Sequence, residues 1–129
     1  MPGSTLRNQS RAVSAIGDVD GFGPLALCYD TFQYYRCSDT RLYPEHAGLV
    51  HISGVTRTDP AREALTEPDR GFVDSNDICD TIGQLKLVRN AGYRGFVSME
   101  PFDPRIHDDA DVSGPLRASL DFVGASLAS

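Results

Sequence analysis

Three short apolar runs constrain what this chain can fold into more than any other feature: Leu25–Tyr29 followed by Asp30, Leu49–Ser53, and Phe96–Met99 followed by Glu100. Each is nearly unbroken in apolar character, which is how strands buried on both faces read. The connections between them are too long for tight hairpins and suit right-handed crossovers, so the runs are expected to be adjacent parallel strands. Helical spacing surrounds them. Ser4 or Thr5 can cap a helix to Ile16 with Leu6, Val13 and Ile16 on one face. Ile78, Ile82, Leu85 and Val88 fall at i, i+4, i+7 and i+10, with Ser75, Asn76 or Asp77 as the cap and Gly92 in the C′ position. Leu116, Leu120, Val123 and Leu127 space a last helix behind Ser113 and Pro115. The order helix, strand, short segment, strand, helix, strand, helix predicts an α/β parallel sheet with the Ile78-to-Val88 face packed on its outer side.

At 129 residues the chain has room for one ordinary domain. No apolar run approaches the ~18 residues of a membrane span. Met1-Pro2-Gly3-Ser4 carries neither a basic nor an apolar leader region, so a cytoplasmic location is expected. The formal charge of −6 argues against nucleic acid or an anionic membrane as partner. The basic residues are Arg apart from Lys86, a skew that reads as coding bias and not as phosphate binding. Cys28, Cys37 and Cys79 are odd in number and form no C-x-x-C, which suits a reducing compartment and a role as small buried hydrophobes.

The ionisable residues at the strand ends carry the chemistry. Asp30 ends the first run, His51 lies inside the second just before Gly54, and Glu100 follows the third. In a parallel sheet the C-terminal strand ends open on one face, where sites are built. Any one of these residues is commonly a cap or a core hydrogen-bonding group. Their recurrence on three consecutive strands points instead to a site for a divalent cation such as Mn²⁺, Zn²⁺, Mg²⁺ or Co²⁺. The long polar stretch from 56 to 75 is expected to be a functional loop.

The stretches Leu27-Cys28-Tyr29-Asp30-Thr31-Phe32, Leu49 to Val55, and Ala91 to Phe102 resemble the last three strands of the xylose isomerase-like TIM barrels. The third is the most specific, because its Gly-Tyr-x-Gly and Ser-x-Glu-x-Phe spacing sets helix end, strand and ligand together. The similarity extends over roughly Pro2 to Pro104 and is greatest to inosose isomerase-like members. It implies an incomplete (β/α)8 barrel, with residues 1–129 forming the C-terminal part of the domain. It also implies that Asp30, His51 and Glu100 match three of the four metal ligands, the fourth being a glutamate that would precede Pro2. Glu100 would be a catalytic carboxylate. Gln33 stands where members commonly have a substrate-contacting histidine, and an amide cannot act as acid or base. Arg57, six residues after His51, and Arg70, in the Asp69-Arg70 pair, match substrate-binding arginines.

The activity so implied is metal-dependent isomerisation or epimerisation of a sugar, sugar phosphate or cyclitol by enediolate proton transfer. The partner is then a small molecule, with no nucleic acid and no membrane. A whole barrel needs about 250 residues and eight strands, so the chain is expected to be a truncated form whose sheet edges lack neighbours. With three ligands it should bind metal weakly and turn over no ketose or inosose by itself. The alternative is an inactive remnant or an interaction half that needs a second copy or a complementing chain. DNA-repair endonucleases of the same fold fit poorly, since neither His46 nor His107 sits at a strand end.

Overall fold

The computed structural model of the chain describes residues 4–129. Strands β1 (Leu27–Asp30), β2 (Ala47–Ile52) and β3 (Val97–Met99) form one parallel sheet in that order. Asp30 pairs with His51 and His51 with Ser98, so the strand ends are level. Pairing continues past β3, because the Glu100 N–H donates to the Ile52 carbonyl at 2.8 Å. The helices are α1 (Gln9–Asp18), α2 (Thr31–Arg36), α3 (Thr81–Asn90), α4 (Pro104–His107) and α5 (Ser113–Ala128). No described helix is long and apolar enough to cross a membrane.

Side-chain alternation splits the sheet into two unlike faces. Tyr29, Val50 and Ile52 are buried on the face covered by α3 and α5, in a core completed by Val73, Leu85, Val88 and Val123. The other face carries Cys28, Asp30, His51 and Ser98, none of them buried. Burial is thus confined to one face and the other is open, as the expectation of a truncated barrel requires. Helices cover one side, no described strand lies against the other, and Phe96 at the mouth of β3 is 86% exposed. A second cluster of Phe32, Val55, Leu65 and Cys79, with Ile78 against it, sits beneath the loops at the strand ends.

Several boundaries depart from the spacing, each for a local reason. The first helix starts at Gln9 because Asn8, and neither Ser4 nor Thr5, caps it by accepting from the Arg11 N–H at 3.0 Å. Leu6 thus lies outside the helix and is exposed. Strand β1 begins at Leu27, since the Leu25 N–H is taken by the Gly21 carbonyl. Helix α3 begins at Thr81, capped by Asp80 in the left-handed region (φ 52°), so Ile78 precedes it and joins the second cluster. Gly92 ends that helix at φ 102°, as expected of a C′ glycine. In α5 the inward positions are Ser119 and Val123. Leu120 is 51% exposed, and the Ser119 hydroxyl donates to the Val73 carbonyl at 2.7 Å. Of the cysteines, all free, only Cys79 is buried.

Asp77 is not the N-cap residue of α3, and it clamps the loop to the start of that helix. Its carboxylate accepts from the backbone N–H groups of Val55, Cys79 and Thr81 at 2.9, 3.1 and 2.9 Å. Charge-assisted bonds of this kind are worth about 1.5–3 kcal/mol each before coupling. Asp77→Ala is expected to destabilise the chain by about 3 kcal/mol, read as a lower urea midpoint at unchanged slope.

Candidate metal centre

The site is assembled from three strand ends and one returning loop. Asp30 closes β1 and at the same time caps α2, its Oδ1 accepting from the Gln33 N–H at 3.0 Å. His51 sits inside β2 with its Nδ1 3.1 Å from Glu100 Oε1. Each of Asp30, His51 and Glu100 offers a ligand atom, and the three atoms lie within 4.8 Å of one another. All three are half-buried.

The 56–75 stretch brings in the cation. Gly54 and Gly71 bridge with N–H···O distances of 2.9 and 2.7 Å, and a Cβ on Gly54 would stand 2.2 Å from the Phe72 carbonyl oxygen. Only glycine permits that approach. Two short 3₁₀ turns, Arg62–Ala64 and Glu67–Asp69, shape the loop. Asp69 accepts from the Thr66 N–H at 2.7 Å, and the chain then delivers Arg70, only 2% exposed, into the site. Its Nη2 donates to Asp30 Oδ2 and to Glu100 Oε2, both at 2.8 Å. Its Nη1 donates to Glu67 Oε2 at 2.7 Å, and its Nε to the Ser53 hydroxyl at 3.0 Å. Burial works against the Arg70 charge, but Asp30, Glu67 and Glu100 outweigh it and hold the guanidinium pKa above its ordinary value. For Asp30 burial is the largest influence and raises the pKa. The Arg70 charge and the Gln33 N–H offset that only partly, and Glu100 adds to it.

A cavity of about 440 Å³ opens beside these groups, lined by Asp30, Gln33, Glu67, Arg70, Glu100 and Phe102 among others. Gln33 Nε2 donates to Glu67 Oε1 at 2.8 Å, while its Oε1 is buried without a partner among the described residues. The structure therefore gathers Asp30, His51, Glu100, Gln33 and Arg70 in one place. Arg57 lies apart. It is exposed, pairs with Asp59 at 2.8 Å and Asp69 at 3.2 Å, and does not line the cavity. Ser53, Glu67 and the two rings on Arg70 escape a reading of the sequence. The Thr66-x-x-Asp69 capping pattern was the one local signal that this loop is rigid.

An imidazole and two carboxylates converge at adjacent strand ends of a parallel sheet with helices on one side, an arrangement that suits part of a (β/α)8 barrel. Structural comparison makes the barrel more particular. The chain is similar to a xylose isomerase domain containing protein from Salmonella typhimurium LT2, with a TM-score of 0.83, 26% identity, and coverage of 98% of this chain and 47% of that one. It is also similar in fold to the IOLI protein determined with a bound zinc atom, with a TM-score of 0.80, 17% identity, and coverage of 98% and 46%. No family model and no curated protein matches the sequence. The chain thus has the fold of part of a TIM barrel like theirs, and it spans about half the length of the solved structures it matches.

Proposed function

We propose that the chain supplies the metal-holding and proton-transferring side of a metal-dependent isomerase or epimerase acting on a sugar, sugar phosphate or cyclitol. One observation carries this reading: the ligand atoms of Asp30, His51 and Glu100 lie within 4.8 Å of one another at the level ends of three parallel strands. A nitrogen-and-oxygen donor set of that kind fits a borderline divalent cation, and the zinc in the IOLI protein supports the same choice. Asp30, His51 and Glu100 would hold the ion, which when bound supplies Lewis acidity for charge building on substrate oxygens.

The protein's own groups do the rest. Glu100, 31% exposed at its side chain, stands at the cavity wall as the carboxylate that moves a proton at the carbon beside the carbonyl. Gln33 presents a buried carbonyl oxygen in need of a donor, which a substrate hydroxyl provides. The compartment this reading implies is the cytoplasm.

The test is exchange of solvent deuterium into a panel of ketoses and inososes, followed by NMR with Mn²⁺ or Zn²⁺ present. Metal uptake by the chain, with exchange at the carbon next to the carbonyl once strands that complete the barrel are joined to it, supports the proposal, and absence of metal uptake contradicts it. Exchange that appears only when a separate complementing chain is added favours a second reading, an interaction half that works only with a partner chain. That reading rests on the coverage of about half of each matched structure and on sheet edges β1 and β3, each paired on one side alone among the described residues.

A further inference from the structure

Arg70 is held too completely to be a group waiting for substrate. Four of the five guanidinium N–H donors go to protein oxygens: Asp30, Glu100, Glu67 and Ser53. Two aromatic rings pack on it as well, the Phe32 centroid lying 5.0 Å and the Phe102 centroid 4.9 Å from Cζ. Its backbone is fixed by the segment it serves, because the Arg70 carbonyl accepts from the N–H groups of Phe102 and Asp103, both at 2.8 Å. The chain just after Glu100 is thus tied to Arg70 by main chain, and Glu100 itself by side chain.

The consequence falls on the two carboxylates. One Nη2 takes one oxygen of Asp30 and one of Glu100, which sets the separation and rotation of both. The remaining oxygens are Asp30 Oδ1, on the Gln33 N–H, and Glu100 Oε1, beside His51 Nδ1. Two carboxylates this close repel, and one buried cation shared between them removes that repulsion without occupying their second oxygens. A lysine could supply the charge but not four coplanar donors.

We propose that Arg70 is a positioning residue, a built-in cation that pre-orients Asp30 and Glu100 to receive a divalent ion and does not itself contact substrate. The inference rests on the metal reading above. It has a sign that separates it from simple electrostatics. Removing a positive charge beside a cation site should tighten metal binding if charge alone mattered. Loss of orientation should weaken it.

Zn²⁺ titration calorimetry on the 129-residue chain distinguishes the two. Arg70→Met and Arg70→Lys are each expected to bind Zn²⁺ at least about 10-fold more weakly than the natural chain, in the range seen when groups orienting metal ligands are lost. Ser53→Ala, which removes only the Nε anchor, is expected to weaken binding by about 3-fold. Circular dichroism identifies any variant that fails to fold. If Arg70→Met is unfolded, Arg70→Lys and Ser53→Ala decide. Equal or tighter binding by folded Arg70 variants overturns the positioning role and leaves the metal reading standing. No Zn²⁺ binding by the natural chain overturns the metal reading and this inference together.

Discussion

Glu100→Gln is expected to lower affinity for Mn²⁺ or Zn²⁺ by at least about 100-fold, beyond the 10–100-fold typical of losing a group that merely orients a ligand. The exchange is nearly isosteric and Glu100 is not fully buried, so the fold should survive. Asp30→Asn should behave alike for a reason that isolates the charge. Asparagine caps a helix as well as aspartate does, so the cap on α2 remains while an anionic ligand is lost. Calorimetric titration beside circular dichroism checks both. Unchanged affinity in either variant would remove that residue from the donor set.

Phe32→Ala is expected to cost about 3–5 kcal/mol, the range for deleting a large buried aromatic. Phe32 is fully buried, packs with Val55, Leu65 and Cys79, and carries the Arg70 guanidinium on its ring. A domain's net stability is only about 5–15 kcal/mol, so the loss is a large share of the total. Urea unfolding followed by circular dichroism measures it. A midpoint within error of the natural chain would mean that the second cluster does not support the site.

The sheet and its chemical strand ends were legible because both follow from local pattern. Three apolar runs with long connections leave a parallel sheet as the economical fold, and Asp30, His51 and Glu100 recur at equivalent places in them. Asp77 and Asp80 show where local pattern fails. Both suit a helix cap by composition, and only tertiary contact with Val55 assigns Asp77 to the loop clamp and leaves the cap to Asp80. Continuous apolarity marks strands made to be covered on two faces, and in part of a barrel only the helix-covered face is buried. Arg70 stands out in the sequence through its pairing with Asp69, but its partners Ser53, Glu67 and Glu100 are 17, 3 and 30 positions away. Only the Glu67 spacing is visible in a linear reading. Arg57 lies six positions after His51 along the chain, and its side chain is paired with Asp59 outside the cavity.

Mn²⁺ titration followed by NMR of the histidine rings tests the central claim most directly. The chain has three histidines, His46, His51 and His107. His46 is stacked on Phe22, and His107 lies near Phe102 with Nε2 3.1 Å from the Pro101 carbonyl oxygen. Substoichiometric Mn²⁺ should broaden the His51 ring signals first and most strongly, and that selectivity should vanish in Asp30→Asn. Equal broadening of all three rings, or loss of the His46 or His107 signals before those of His51, would contradict a metal centre at the strand ends.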